Sequence, residues 1–188
     1  MRERNWSRLP FYDPKGVLVA LNKLSDEVAA WDLPYNVASL RTNGLRRYRE
    51  GRQCALFCYG VGQRLGIDVR YAESEEQDID FVVRFERDGF LNFVPLQLKE
   101  LVPEQVSNSA SLQVEIDKLE KYVDSSDLVV AFHLNRNFEL VPEQLDFSRV
   151  RLRQLWFVGY TGRSTDWLLL GDMLSAEAKP SFFRYPES

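Results

Sequence analysis

Apolar residues in the first third of the chain follow the period of an α-helix. After Asp13-Pro14, a pair typical of a helix start, they stand at Val17, Leu18, Leu21, Leu24, Val28 and Trp31. This spacing predicts an amphipathic helix over residues 14 to 32. A second helix is predicted over residues 51 to 66 with Gly66 as its C-cap, whereas Asn43-Gly44 leaves the segment before it ambiguous.

Beyond Gly66 the pattern changes to the two-residue period of β-strands. Apolar and polar residues alternate from Ile67 to Ala72, and Phe81 to Phe85 is a short, largely apolar run. Asp88-Gly89 is a strong two-residue turn signal, so this run and the segment from Phe90 to Lys99 are predicted to form a β-hairpin. Three consecutive strands are therefore expected in this part of the chain.

The second half of the chain continues the alternation of helices and strands. A helix is predicted after the capping residues 107 to 111, with a buried stripe at Leu112, Ile116, Leu119 and Val123. Leu128 to Leu134 is a nearly continuous apolar run, typical of a strand buried on both faces. A further strand is predicted over residues 152 to 160, and a short closing helix over residues 167 to 174.

The predicted order is helix, strand, strand, strand, helix, strand, with an extra helix before it and a further strand and helix after it. Such an order predicts an α/β fold in which helices flank a mixed central sheet. With 188 residues, 45% of them hydrophobic, the chain suits one domain. No apolar run approaches the roughly 20 residues of a membrane-spanning helix, so a soluble cytoplasmic protein is expected.

One pentapeptide, Leu-Val-Pro-Glu-Gln, occurs at residues 101 to 105 and again at residues 140 to 144. Each copy follows a predicted strand, so its proline is expected to open a helix or a turn. The sequences on either side do not match. The pentapeptide therefore does not indicate a repeated structural unit.

Several chemically versatile residues are predicted to serve only the core. Cys54 and Cys58 fall on one face of a predicted helix, and together with His133, the single histidine, they cannot fill a four-ligand zinc site. Buried, reduced thiols are therefore expected. His133 lies in an apolar run and is predicted to be a core or strand-end residue. The same interpretation is given to the tryptophans, Trp6, Trp31, Trp156 and Trp167.

The net charge of -4 conceals a segregation of basic and acidic residues. The basic stretch is Arg41, Arg46, Arg47, Arg49 and Arg52, and the acidic stretch is Glu73, Glu75, Glu76, Asp78 and Asp80. A nuclease needs cations for the phosphate backbone and carboxylates for a metal. Two ordinary solvated surfaces of opposite sign would give the same pattern, so charge alone leaves both interpretations open.

The hairpin predicted at Asp88-Gly89 brings polar residues onto one face. With these two residues at the centre of the turn, Asp80 lies opposite Gln97, and the two-residue period puts Lys99 on the same face. A solvent-facing ion pair between Asp80 and Lys99 is the plainer explanation of this pattern. Pro95 cannot donate to a strand ladder, and a bulge there would shift the register by one residue.

A strand led by Asp80, a hairpin, and a strand that ends in Gln97-Leu98-Lys99 before a helix resembles the PD-(D/E)xK nuclease superfamily, in the QxK variant of Mrr-like restriction endonucleases. The resemblance covers about residues 50 to 135 and implies a restriction-endonuclease-like core. It implies that Asp80, Gln97 and the Leu98 backbone carbonyl bind Mg²⁺ or Mn²⁺. Lys99 would then orient or deprotonate the attacking water.

The implied activity is metal-dependent hydrolysis of phosphodiester bonds in nucleic acid, with DNA as the expected substrate and a restriction, defence or mobile-element role. A homodimer or a larger defence complex is compatible with the resemblance, and no membrane partner is expected. The residues expected to bind nucleic acid are Arg46, Arg47, Arg49, Arg52, Lys118 and Lys121. The two lysines also fit an ordinary solvated helix face.

The chain departs from the Mrr-like pattern at one position. That pattern places a Glu a few residues after a Gly on the preceding helix, and Gly51-Arg52-Gln53 has none. The residues that could substitute are Glu50 or Gln53 from the helix, and Glu73, Glu75, Glu76 or Asp78 from the acidic stretch. With fewer fixed negative charges the metal affinity is expected to be lower. A catalytically degenerate module that binds protein or nucleic acid within a larger system is the alternative.

Overall fold

The computed structural model describes residues 5–28, 31–122, 125–137, 139–162 and 165–187. The structure is α/β, with helices and a mixed sheet of seven strands that follow one another in chain order, so the predicted fold class is confirmed at this level. The chain divides into two compact units, one of Met1–Phe93 with Arg184–Ser188 and the other of Val94–Phe183. Each unit has its own helices, strands and core.

The first unit begins with helix α1, Pro14–Val28, which starts where the sequence predicts. The Asp13 carboxylate caps it by accepting hydrogen bonds from the backbone N–H groups of Lys15 at 3.2 Å and Gly16 at 3.1 Å. Of the predicted end of this helix, Ala29 and Ala30 lie outside the described residues. Trp31, predicted to be core, is 63% exposed, and that prediction is wrong.

Two further helices, α2 at Tyr35–Ala38 and α3 at Arg46–Leu65, complete the helical part of the first unit. Helix α3 begins five residues before the predicted start at Gly51. The prediction did not include residues 46–50 because these residues are exposed or half-buried and carry no apolar periodicity. Its end is as predicted. Gly66 is left-handed, with φ of 66°, and its N–H donates to the Gly62 carbonyl at 2.8 Å.

The strands of the first unit are β1, Val69–Glu73, and β2, Phe81–Arg87, which pair antiparallel. After β2, Asp88 and Gly89 both have positive φ, 54° and 77°, as a two-residue hairpin turn requires. Strand β3, Phe90–Leu101, follows this turn. The three predicted strands are therefore confirmed, each within about two residues of its expected bounds.

In the second unit β3 pairs parallel with β4, and β4 pairs parallel with β5, which pairs antiparallel with β6. The bounds are β4 at Val129–Leu134, β5 at Gln154–Tyr160, β6 at Asp166–Gly171 and β7 at Lys179–Arg184. Every residue of β4 is buried, which confirms the prediction of a strand covered on both faces. The predicted closing helix is wrong, because residues 167–171 belong to β6. A short apolar run does not distinguish helix from strand by its period.

Helix α4, Leu112–Asp117, and the 3-10 turn Lys118–Lys121 cover the core of the second unit. Leu112, Ile116 and Leu119 are buried as predicted, and Val123 lies outside the described residues. The order α3, β1, β2, β3, α4, β4 is thus the helix and strand order that the sequence predicts. Among the described helices, none has the length and apolar character needed to cross a membrane.

Candidate functional site

Asp80 ends the acidic loop between β1 and β2 in the first unit. The loop is closed by a hydrogen bond of 3.0 Å from Ser74 N to the Asp80 carbonyl oxygen, next to the last strand pair of Glu73 with Phe81. Asp80 is half-buried. Asp78 is exposed and has a φ of 62°, a left-handed conformation that Asp tolerates better than most residues. The predicted position of Asp80 at the head of β2 is confirmed.

Two of the carboxylates expected to replace the missing helix Glu are held by arginines of α3. Glu50 Oε1 accepts a hydrogen bond from Arg46 Nε at 2.7 Å, and Glu73 Oε1 accepts one from Arg47 Nε at 3.0 Å. The bond to Glu50 raises the pKa of the Arg46 guanidinium, and the charge of Asp80 adds to this effect. Glu50 and Asp80 therefore lie near the same cation.

The arginines predicted to bind nucleic acid differ in their surroundings. Arg46 and Arg47 take part in the ion pairs just described, with 68% and 74% of their side chains exposed. Arg52 is exposed as well, and Arg49 is half-buried. Exposed ion pairs of this kind contribute little to the stability of a protein. The basic and acidic stretches are not separate surfaces, because Arg47 joins one to Glu73 of the other.

Cys54 and Cys58 are free thiols with no exposed surface, and their Sγ atoms lie 3.9 Å apart on successive turns of α3. Burial raises the pKa of the Cys54 thiol well above its usual value, and its contact with Cys58 adds to the rise. Because the thiolate is the reactive form of cysteine, the raised pKa makes the Cys54 thiol unreactive. The predicted structural role is confirmed.

Gln97, Leu98 and Lys99 lie on β3 in the second unit. Gln97 is only 8% exposed, pairs in register with Val130 of β4, and carries its amide Nε2 3.5 Å from the Leu98 carbonyl oxygen. The two ends of a glutamine amide exchange by a half-turn, so Oε1 can face the same carbonyl. A buried amide and a backbone carbonyl are thus adjacent at this point of β3. Asp80 belongs to the other unit, and its predicted pairing with Gln97 stays a prediction.

Lys99 is half-buried and pairs with Phe132 of β4. Its ammonium lies 5.6 Å from the centre of the Tyr122 ring, which directly follows the 3-10 turn. Tyr122 is 4% exposed and belongs to the core of the second unit. The sequence did not predict that Tyr122 contacts Lys99. The only indication was an aromatic residue next to the basic end of a predicted helix.

The two lysines predicted to bind nucleic acid also differ. Lys118 Nζ donates to Glu115 Oε1 at 2.6 Å, so a local carboxylate balances its charge. Lys121 Nζ lies 4.9 Å from the centre of the Tyr122 ring. The structure therefore separates one lysine engaged in a helical ion pair from another that shares an aromatic ring with Lys99.

A cavity of about 330 Å³ lies beyond the carboxyl ends of β3 and β4 in the second unit. Both copies of Leu-Val-Pro-Glu-Gln line it, through Leu101, Glu104, Leu140, Val141 and Gln144. In each copy the proline carbonyl accepts a hydrogen bond from the residue three places on, at 2.9 Å for Pro103 and 3.1 Å for Pro142. The prediction that each proline opens a turn is confirmed.

Arg136 borders this cavity and fixes the loop that follows β3. Its guanidinium donates to three backbone carbonyls, those of Val102 at 3.0 Å, Ala110 at 2.8 Å and Ser107. These bonds give carbonyl groups of an irregular segment the partners that a buried backbone requires. Arg136 is therefore a structural residue of the second unit.

His133 lies on β4 with 8% of its surface exposed, and its ring centre is 5.6 Å from that of Trp167. The predicted core role is confirmed. Trp156 and Trp167 are also buried as predicted, whereas Trp6 is half-buried and donates its indole N–H to Glu76 Oε1 at 2.6 Å. His133, Trp156 and Trp167 are therefore buried residues of the second unit and not an exposed stacking surface.

Among the described residues, no three or more His, Cys, Asp or Glu side chains converge as a group that could hold a metal ion. The predicted metal ligands contain a single carboxylate, that of Asp80, and otherwise consist of an amide and a backbone carbonyl. In comparisons with known proteins, no family model, no curated protein and no solved structure matches the chain.

Proposed function

We propose that this protein is a metal-dependent nuclease of the PD-(D/E)xK type that hydrolyses phosphodiester bonds, with DNA as its substrate. The observation that carries the proposal is the arrangement of Gln97, Leu98 and Lys99 at the end of a strand that precedes a helix. There a buried amide lies 3.5 Å from a backbone carbonyl, and a lysine ammonium follows two residues later. The order of helices and strands from α3 to β4 supports the same proposal.

The donors proposed to hold the metal fit Mg²⁺ chemically. Asp80 offers a carboxylate, Gln97 an amide oxygen and Leu98 a carbonyl oxygen, and hard oxygen donors of this kind are what Mg²⁺ prefers. When bound, the ion supplies Lewis-acid activation of the phosphate and of a water molecule. Glu50 is the proposed substitute for the missing helix carboxylate, because it shares the neighbourhood of Arg46 with Asp80.

Lys99 is proposed to act on the reacting groups through its charge. An ammonium beside the scissile phosphate would stabilise the negative charge that develops in the transition state. The half-buried position of Lys99 on β3 and its contact with the Tyr122 ring hold the ammonium before substrate arrives. Such preorganisation avoids the cost of ordering a flexible side chain during the reaction.

The proposal predicts cleavage of supercoiled plasmid in Mg²⁺ or Mn²⁺ and none in EDTA. Asp80→Ala and Lys99→Ala should each lower the rate about 100-fold or more, the usual effect of losing a group that stabilises transition-state charge. Asp88→Asn and Lys118→Ala are matched controls, since Asp88 lies in an exposed turn and Lys118 in a surface ion pair. Cleavage that survives both Asp80→Ala and Lys99→Ala would contradict the proposal.

A second candidate is a non-catalytic module that binds nucleic acid or protein within a larger assembly. The observation in its favour is that Glu50 and Glu73, two expected metal carboxylates, are engaged by Arg46 and Arg47. Titration with Mn²⁺ distinguishes the two candidates. A nuclease site raises the melting temperature as metal binds the folded state, whereas the binding module shows no rise that depends on Asp80.

A further inference from the structure

A strap of irregular backbone, residues 102–110, leads from the end of β3 towards α4 in the second unit. Its ends are anchored by packing, since Pro103 is buried and Ala110 packs against the core of the unit. The residues between these ends are mostly exposed, and Val106 is 49% exposed. Packing therefore does little to hold the middle of the strap in place.

The inner side of the strap borders the cavity of about 330 Å³. Glu104 and Ala110 line this cavity from the strap, and Leu140, Val141 and Leu145 line it from the loop that follows β4. Unfilled space offers no partner atoms for dispersion attraction. The strap therefore lacks, along this side, the contacts that usually hold a segment against a core.

Arg136 joins the strap to the rest of the unit by hydrogen bonds. Its Nε, Nη1 and Nη2 atoms donate to the carbonyls of Val102, Ala110 and Ser107, which lie at the start, the end and the middle of the strap. The other hydrogen bonds of residues 102–110 to described parts of the chain are internal and end on the Pro103 carbonyl. One side chain thus makes all the hydrogen bonds that reach the strap from outside.

The guanidinium group is suited to this task because its donors lie in one fixed plane and point in several directions. A lysine ammonium is a single nitrogen and does not span three carbonyls that belong to residues 102, 107 and 110. Carbonyls that lose their partner must be hydrated, because an unpaired buried carbonyl is costly. Opening of the strap gives them access to water.

We propose that the strap is a movable wall of the cavity, that Arg136 locks it in the closed position, and that it opens as a unit while the sheet stays folded. Opening exposes Leu101 and Leu112, which flank the strap, line the cavity and are 1% and 6% exposed when it is closed. Segments with few buried contacts open locally in this way. A small molecule that fills the cavity stabilises the closed strap, because it binds that state alone. The inference does not depend on the proposed nuclease activity.

The first experiment measures ¹⁵N relaxation of the backbone amides in the full-length protein. In the wild type the strap should have order parameters near those of β4, about 0.85, the value of rigid backbone. In Arg136→Lys the order parameters of the strap should fall below about 0.6, while those of β3 and β4 stay unchanged. Strap order parameters that are the same in the two proteins would overturn the inference.

Arg151→Lys is the matched control. The Arg151 guanidinium also donates to backbone carbonyls, those of Ser148 at 2.8 Å and Val150 at 3.2 Å, and both lie outside the strap. Its substitution should leave the order parameters of the strap unchanged, and an equal loss of order in Arg151→Lys and Arg136→Lys would overturn the inference. Because an open strap leaves the rest of the unit folded, Arg136→Lys should keep a cooperative melting transition. Failure of this variant to fold would overturn the inference as well.

The second experiment requires no substitution. A glutamyl endopeptidase cuts the wild type at the Glu104–Gln105 bond in low concentrations of urea, and mass spectrometry of the fragments gives the rate at this bond. The free energy of opening should fall less steeply with urea than that of global unfolding, because opening exposes less surface. An equal dependence on urea would show that the bond is cut only in the unfolded protein, which would overturn the inference. In Arg136→Lys the cleavage rate should rise at least about 10-fold through the lost hydrogen bonds, and an unchanged rate would contradict the role of Arg136.

Discussion

At the scale of single residues, Gln97 combines burial with a polar side chain. Its side chain is buried, yet it is polar, and it lies beside the carbonyl oxygen of Leu98. A buried amide must be hydrogen-bonded or coordinated to offset the cost of its desolvation. An apolar residue would fill the same position on β3 at lower cost. Gln97 is therefore the position at which substitution tests the proposed metal site most directly.

Gln97→Glu is predicted to strengthen metal binding at the expense of stability without metal. A carboxylate adds a negative charge to the proposed ligands, but its burial without a cation should destabilise the protein by about 1–3 kcal/mol. Mn²⁺ should then raise the melting temperature of Gln97→Glu more than that of the wild type, by mass action on the folded state. Differential scanning fluorimetry with and without Mn²⁺ measures both effects.

Gln97→Leu is the matched control for this comparison. It keeps a similar volume and removes both polar ends of the amide, so its melting temperature should respond to Mn²⁺ less than that of the wild type. The same Mn²⁺-induced rise in all three proteins would show that residue 97 does not take part in metal binding.

At the scale of elements, helix α3 connects the core of the first unit to the candidate site. Its central residues, Gln53 to Cys58, are buried, whereas Arg46 and Arg47 in its first turns make ion pairs with Glu50 and Glu73. Tyr71 on β1 contributes a further contact, with its hydroxyl 3.4 Å from the Gly51 carbonyl oxygen. The buried central part of α3 thus fixes the orientation of the helix and with it the positions of the charged residues in its first turns.

Two glycines of this helical segment should respond oppositely to substitution by alanine. Gly51 lies within the helix and an added Cβ meets no atom within 4 Å, so Gly51→Ala should stabilise the protein by about 0.5–1 kcal/mol. Gly66 also has open space, but its φ of 66° is left-handed. Gly66→Ala should therefore destabilise by about 1–2 kcal/mol through the backbone alone.

Urea unfolding at pH 7 measures both free energies of unfolding. Because neither alanine meets a steric clash, the difference in sign isolates helix propensity from the cost of the left-handed cap. Destabilisation of the protein by both substitutions to a similar extent would contradict this account of α3.

At the scale of the whole molecule, the buried ionisable groups of the first unit set a limit on stability at high pH. Burial raises the pKa of the Cys54 thiol above its ordinary 9.0 and that of the Tyr71 phenol above its ordinary 10.0. In the unfolded chain both groups lose their protons near these ordinary values, whereas in the folded protein they keep them. Above about pH 9 the unfolded state therefore binds fewer protons than the folded state, so stability falls as pH rises.

The free energy of unfolding is predicted to be insensitive to these two groups up to about pH 8 and to decline from pH 9 to pH 11. Each group that is ionised only in the unfolded chain contributes about 1.4 kcal/mol per pH unit to the decline. Urea unfolding at pH 7, 9, 10 and 11 gives the slope. A Cys54→Ala, Tyr71→Phe double variant should show a shallower decline than the wild type, and an equal slope would contradict the prediction.

Local sequence by itself determined the parts of the fold that short-range physics controls. The Asp13 cap, the left-handed Gly66, the turn at Asp88 and Gly89, and the apolar run of β4 were all predicted from neighbouring residues. Each depends on backbone preference, side-chain capping or hydrophobic period over a few positions. The buried state of Cys54 and Cys58 follows in the same way from helical spacing.

Only the tertiary structure decided the features that depend on partners distant in the sequence. Residues 167–171 form a strand because they pair with β5, although their short apolar run fits a helix equally well. Arg47 pairs with Glu73, 26 residues away, and the ammonium of Lys99 lies 5.6 Å from the centre of the Tyr122 ring. The charged residues can be read from the sequence, but which of them form ion pairs or ring contacts depends on tertiary packing. The physical reason is that ion pairs and ring contacts require positions in space, which hydrophobic period and turn chemistry do not specify.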